Sequence, residues 1–237
     1  MTKRSDLGFY ALLGVTAVTF AMLIAFVFLR VPDAQLPAGG VSQKIFYFHV
    51  PAAYAMYLCG LVGFFASAFY LVGATDKRDA WAKAGAECAC IFGSMVLTSG
   101  PLWAKKAWGV YWTWDPRLTT LLLTVLIYAA VVVLRAFGGA GEAERKFAAA
   151  LTVLGTVTLP IVHYSVQKWG GNHPTVISKG GGGLGHPDMR LALTLGFVAM
   201  TLLAALLLWM RARLALTQSR LAAVEELAAA RGIGEAA

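Results

Sequence analysis

Leu118-Thr-Thr-Leu-Leu-Leu-Thr-Val-Leu-Ile-Tyr-Ala-Ala-Val-Val-Val-Leu134 runs between Arg117 and Arg135 without a single charge. In hydrocarbon every backbone polar group must be satisfied within its own segment, so such a stretch reads as a membrane helix. Five more apolar stretches surround it, at 9–29, 51–74, 84–104, 147–166 and 191–210. At about 1.5 Å rise per residue, lengths of this order cross a hydrocarbon core of about 30 Å with room for tilt. The first is longer than the apolar region of a signal peptide and has further spans behind it, so it reads as retained. Composition agrees: of 237 residues 59% are hydrophobic and 14% charged, with mean hydropathy +0.68. A soluble domain typically carries about 25% charged residues, so an ordinary globule and a disordered chain are both excluded.

The expected fold is therefore all-α, a polytopic bundle of six transmembrane helices. Residues 1–210 would form the membrane domain and 211–237 a cytoplasmic tail with Leu214, Leu221, Val224 and Leu227 at near-helical spacing. An even number of spans puts both termini on one side. Twelve Lys and Arg fall with the termini and eight on the other side, which predicts an N-in, C-in orientation. The net charge of +8 is scattered among loops and ends, so it sets orientation and does not form a nucleic-acid face. Cys59, Cys88 and Cys90 lie inside apolar runs, and an odd count gives no disulfide framework; they read as small buried hydrophobes.

Chemistry is gathered on the outer side. His49, His173 and His186 fall in outer segments, His163 lies near the outer end of the fifth span, and Trp103, Trp108, Trp112, Trp114 and Trp169 join them. An interfacial aromatic belt decorates both faces of a membrane protein, so a one-sided concentration marks the place for a site. The central outer loop, 105–117, contains Trp108-Gly-Val-Tyr-Trp112-Thr-Trp114-Asp-Pro-Arg117. As a helix it would put Trp108, Tyr111, Trp112 and Asp115 on one face; extended, it would put Trp108, Trp112 and Trp114 on one side. Either form offers an apolar wall for a large planar molecule, and the plainer reading is an interfacial belt plus a helix cap. Asp115 before Pro116 suits the cap, and Thr119 is a second candidate for it.

Trp108-Gly-x-x-Trp112-x-Trp114-Asp115-x-Arg117-Leu118-Thr119 resembles the signature of the tryptophan-rich (WWD) haem-handling membrane proteins of cytochrome c maturation, and the span number resembles the family's six-span haem exporter C branch. Lys44-Ile-Phe-Tyr-Phe-His49-Val-Pro-Ala-Ala-Tyr54 resembles the family's first outer histidine motif, and Ser165-Val-Gln-Lys-Trp169-Gly-Gly-Asn-His173 its second. Lys168 stands where the family often has a tryptophan paired with Trp169, and the stretch 180–186 is longer and richer in glycine. The resemblance implies non-covalent haem b, with His49 and His173 as axial ligands of the iron. Trp108, Trp112, Trp114 and Asp115 would line the site, and Arg117, Lys44 or Lys168 would pair with propionates. It further implies hand-over to a periplasmic haem chaperone (CcmE-like), whose histidine becomes bonded to a haem vinyl group. The expected assembly includes ABC-type CcmA-like and CcmB-like subunits and a small one-span CcmD-like protein, in a bacterial inner membrane.

The same residues leave His163 as a satisfied core histidine or a minor ligand candidate, and His186 as a loop histidine. The run Gly180 to Gly183 reads as a mobile stretch, since no Lys-Ser/Thr follows it into a helix. No Cys-x-x-Cys-His, His-Glu-x-x-His or P-loop occurs, which argues against thioether-bound haem and against nucleotide chemistry in this chain. A haem-transfer protein without catalytic residues of its own is the expectation. The rivals are a b-type electron-carrying cytochrome and a haem-free structural subunit of an ABC-type complex.

Overall fold

The computed structural model describes residues 3–34, 39–138, 141–174 and 184–232. Lys179 and the glycine run 180–183 lie outside the described residues. Among those described there is no strand. Six long helices follow one another: α1 Lys3–Leu29, α2 Phe46–Val72, α3 Asp76–Trp108, α4 Pro116–Phe137, α5 Glu142–Trp169 and α6 Pro187–Ala230. A single 3₁₀ segment, Gly40–Ile45, leads into α2. Contacts between helix ends show that the helices alternate in direction. One end of the bundle therefore carries the start of α1 and the last turns of α6, and the other carries His49, the tryptophan loop and His173.

Most helices outrun their apolar stretches at both ends, because flanking polar residues continue the hydrogen-bond ladder, whereas α2 starts earlier at Phe46 and stops at Val72, before Gly73. α3 therefore takes in Trp103 and Trp108 and stops at Gly109, whose left-handed φ of 77° ends it. The tryptophan loop is thus shorter than 105–117 and is neither wholly helical nor wholly extended. α6 likewise continues from the sixth span through residue 230 without a break, for a length of about 66 Å.

Caps follow the sequence closely. The Thr75 side chain accepts from the Arg78 N–H at 3.3 Å to start α3. Asp115 Oδ1 accepts from the Arg117 N–H at 2.9 Å to start α4, with Pro116 in the first turn. The Thr119 hydroxyl donates back to the Asp115 carbonyl instead of capping. His186 is the N-cap of α6, its Nδ1 accepting from the Asp188 N–H at 3.2 Å.

α1, α2 with its 3₁₀ lead, α4, α5 and α6 are each long and apolar enough to cross a membrane. α3 is as long, but Glu87 and its many Ala, Gly and Ser residues lower its hydropathy. Its position explains the difference: α2, α4, α5 and α6 all pack on it, so much of its surface meets protein in place of lipid. Small residues make that packing close. A side chain at Gly85 would overlap the backbone of Gly63, so α2 and α3 touch main chain to main chain. Cys59 and Cys88 are buried in this seam beside Ala86, Ala89 and Phe92.

Hydroxyls join α4 and α5 within the bundle. Tyr128 Oη lies 2.9 Å from Thr156 Oγ1, Thr156 donates to the Gly60 carbonyl of α2 at 3.0 Å, and Thr124 pairs with Thr158 at 2.7 Å. At the terminus end, ion pairs replace hydroxyls. Arg135 meets Asp79 at 2.6 Å, Arg145 meets Asp76 at 3.1 Å, Arg211 meets Glu87 at 2.7 Å and Arg213 meets Asp6 at 3.2 Å. A cleft of about 440 Å³ beside Tyr70, Asp76, Glu142 and Arg145 belongs to this end, away from the histidines.

Candidate functional site

His49 stands in the first turn of α2, and its imidazole lies against α3. Its Nδ1 is 2.8 Å from Ser99 Oγ, and that hydroxyl donates its own proton to the Met95 carbonyl at 2.7 Å. With the serine proton committed, Ser99 accepts from the histidine Nδ1–H. The lone pair of His49 then sits on Nε2, the arrangement of a metal-ligating imidazole. Gly100 leaves room for the ring: a side chain there would come within 3.3 Å of His49 Cε1.

His173 reaches the same end on a different route. α5 ends at Trp169, and Gly170 and Gly171 take φ values of 74° and 146°, turning the chain back over the bundle. Asp115 receives it. One carboxylate oxygen caps α4 and the other accepts from the Asn172 N–H at 2.7 Å. Any side chain at Gly171 would overlap the Asp115 carboxylate, so this approach depends on glycine at that position. Asp115 is 6% exposed, and both its oxygens hold backbone.

Arg117 braces the same junction. Its Nη2 donates to the His163 carbonyl at 2.7 Å, and its Nη1 lies 3.3 Å from His173 Nδ1. Tyr57 of α2 lies within the field of this guanidinium. His173 has its pKa pushed down to about 4, first by burial and then by Arg117, so the ring is neutral at neutral pH. The imidazoles of His49 and His173 lie within electrostatic reach of each other. The two lie 124 positions apart, with most of α2 and all of α3, α4 and α5 between them, and the fold brings them together.

The aromatic residues form two edge-to-face pairs instead of one flat wall. Trp103 and Trp108 meet on the last turns of α3 with centroids 5.4 Å apart, and Trp112 and Trp114 meet in the loop at 5.8 Å. Trp114 is 76% exposed and Trp169 is 63% exposed, so both present apolar faces outward. Three buried polar atoms of this short segment have no partner: Trp112 Nε1, Thr113 Oγ1 and Arg117 Nε. An unpaired buried group costs about 1–3 kcal/mol. Three so close in the chain, two of them N–H donors and the third a hydroxyl, suit an acceptor supplied from outside.

The other candidates fall elsewhere. The ring of His163 is exposed and packs edge-on against Tyr164, and only its carbonyl joins the site. His186 is committed to its cap. Lys44 pairs with Asp33 at 3.3 Å, and Lys168 is exposed. Ser99, Asn172 and Tyr57 were not singled out by the sequence reading. Ser99 had one signal, a hydroxyl in an apolar span, but its partner could not be read without the α2–α3 register.

A histidine with its Nε2 free, a second imidazole within electrostatic reach, aromatic faces and unpaired donors gather at one end of a bundle of long apolar helices. This defines the class: a polytopic helical membrane protein with a polar and aromatic cluster at one end. Comparison with known proteins narrows this. Residues 3–226 match the family model "CcmC: Heme exporter protein C". The chain is 34% identical to heme exporter protein C of Escherichia coli strain K12 over 201 residues, covering 81% of this chain and 79% of that one. It is 36% identical to the Bradyrhizobium diazoefficiens protein of the same name over 167 residues, 69% of this chain and 63% of the relative's length. It is also 28% identical over 168 residues to a putative cytochrome c biosynthesis ccmC-like mitochondrial protein of Marchantia polymorpha. The chain belongs to the heme exporter protein C family.

Proposed function

We propose that this protein takes part in haem export for cytochrome c maturation, holding haem b non-covalently at the histidine end and passing it to a periplasmic haem chaperone of the CcmE kind. His49 and His173 would hold the iron. Trp108, Trp112 and Trp114 would contact the porphyrin, and Arg117 with the Trp112 and Thr113 donors would take a propionate. Asp115 would act one step back, holding the loop that carries His173. The observation that carries the reading is the convergence of His49 and His173, the first with Nε2 free and the second beside Arg117. The resident chemistry of the bound group is that of its iron; the protein's part is to orient, enclose and release it.

Exposed Trp114 and Trp169 would form the face on which the chaperone docks, with a vinyl edge of haem left accessible there. The terminus end would face the cytoplasm of a bacterial inner membrane, consistent with the excess of Lys and Arg on that side. There Arg211 to Ala230 of α6 would project toward ABC-type subunits of the CcmA and CcmB kind, with a one-span CcmD-like subunit completing the assembly.

The test is an absorption spectrum of the purified protein, oxidised and then reduced, with and without a co-expressed haem chaperone. The expected result is a Soret band of bis-histidine character that disappears in a His49→Ala, His173→Ala double variant, together with haem bonded to the chaperone. A native spectrum in the double variant would remove the ligand assignment. Haem that cycles between redox states and never transfers would point instead to an electron carrier.

A further inference from the structure

His49 is held in one tautomer, whereas His173 lies between two. At His49 the hydrogen-bond chain Nδ1–H to Ser99 Oγ to the Met95 carbonyl leaves Nε2 unprotonated. At His173 the Nδ1 has two competing neighbours, Arg117 Nη1 at 3.3 Å and the Pro174 carbonyl at 3.1 Å. A guanidinium has only donors and a carbonyl only acceptors, so one nitrogen cannot satisfy both. Bonded to Arg117, Nδ1 carries the lone pair and the proton sits on Nε2. Bonded to Pro174, Nδ1 carries the proton and Nε2 is free, but an Arg117 N–H then points at an N–H.

The guanidinium weights the first form, because a charged donor set against an N–H costs more than an uncharged carbonyl set against a lone pair. In that form Nδ1 is covered by the guanidinium and Nε2 is protonated. Withdrawal of Arg117 removes the weighting and leaves the Pro174-bonded form, with Nε2 free to ligate a metal. What would withdraw Arg117 is also in the structure. Its Nε is buried without a partner, in the same short segment as the unpaired Trp112 Nε1 and Thr113 Oγ1. A carboxylate is the group that a guanidinium binds in preference to a neutral imidazole, through two parallel hydrogen bonds.

We propose that Arg117 is a positioning residue that latches His173 in a non-ligating tautomer until a carboxylate of the incoming porphyrin draws it away, so that His49 binds iron first and His173 second. This rests on the haem site proposed above and adds an order to it. The same latch, closing again, would take His173 out of ligation before release. It also gives the site a means of selecting for an acidic porphyrin, since a neutral one would engage His49 alone.

The experiment compares two ferric porphyrins on the purified full-length protein: haem b, and its dimethyl ester, which has the same ring and iron but no carboxylate. The readout is the ligation and spin state of the bound iron by absorption and electron paramagnetic resonance. Haem b should give a six-coordinate low-spin species. The dimethyl ester should give a five-coordinate high-spin species that depends on His49 and is unaffected by His173→Ala. In Arg117→Ala the ester should become low-spin. A low-spin ester complex in the wild-type protein would overturn the latch while leaving the haem site standing. A high-spin haem b complex would overturn it too, since the carboxylates would then have failed to release His173. If neither porphyrin gives a bound Soret band, the haem site itself falls and the latch with it. The wild-type pair decides the matter even if Arg117→Ala folds poorly, and Arg117→Lys, which keeps a charge but loses the planar fork, should give an intermediate share of low-spin ester.

Discussion

At the terminus end of the bundle the charges find one another. Asp79 and Arg135 are each 11% exposed at the side chain and meet at 2.6 Å, Arg145 joins them at Asp79 from 3.7 Å and also holds Asp76, and Glu87 and Asp6 each take an arginine of α6. At the histidine end, Arg117 has no carboxylate contact through its guanidinium: it leans on a carbonyl and an imidazole, and its Nε has no partner. The Asp115 carboxylate two residues away is spent on two backbone N–H groups. Polar groups brought into a low-dielectric setting cost free energy unless paired. One end pairs its charges into a clasp on five helices, with Arg135 Nη1 the one nitrogen of that clasp left buried and unpaired among the described residues. The other has left donors open, which is what a binding end requires.

Breaking the clasp should have the largest effect on stability and the smallest on ligation. Arg135→Ala leaves Asp79 buried without its strongest partner, and losses of this kind run to about 3–5 kcal/mol. The expected outcome is a clearly lowered thermal midpoint in detergent, with an unchanged haem spectrum in the folded fraction. A changed spectrum would show that the two ends are coupled. Asp115→Ala sharpens the comparison from the other side. It removes a helix cap, worth about 1 kcal/mol, together with the anchor of the His173 loop, so a modest loss of stability should accompany a loss of haem affinity of about tenfold, in the range seen for groups that orient metal ligands.

Ser99→Ala should act more narrowly. It frees His49 to take either tautomer, so haem affinity should fall several-fold in titration, toward the lower end of the roughly 10–100-fold range for such orienting groups. Thermal stability should hardly move, and Ser99→Thr should restore much of the affinity. The smallest effect is that of pH on the loop. His173 has a pKa of about 4 when the loop is docked, against 6.5 for an ordinary histidine, so the docked form binds fewer protons than the released form between those values. Docking is fully favoured above about pH 6.5 and weakens as pH falls toward 4. Hydrogen exchange at the Asn172 amide, corrected for intrinsic rates, should show growing exposure over that window, and His173→Gln should flatten the response.

Much of this was readable in advance, at the level of elements. Six apolar stretches correspond to six helices, Asp115-Pro116 caps α4, and the tryptophan-rich loop and His49 fall at one end. The residues that make the site specific were less accessible. Arg117 was weighed as a propionate partner, yet its contacts in the fold are His173 and the His163 carbonyl, from segments far along the chain. His163 was weighed as a core or ligand side chain, and it is the backbone of that residue that joins the site. His186, read as a loop residue, caps α6, because a cap is defined by the backbone turn that surrounds it.

Hydropathy and span number follow from composition, since lipid admits few arrangements of a backbone with polar groups to satisfy. The local caps follow too, because they depend on neighbours a few residues apart. The tautomer of His49 could not follow. It depends on the register between α2 and α3, which the contact of Gly63 with Gly85 sets by letting two backbones touch, and on the turn of α3 that points Ser99 at α2. The meeting of His173 with Arg117 depends on a loop folded back by two glycines onto Asp115. These are pairings between residues roughly fifty or more positions apart, where hydrogen-bond geometry of a few tenths of an ångström decides which nitrogen carries the proton. No periodicity in the chain encodes that; it exists only once the helices have packed.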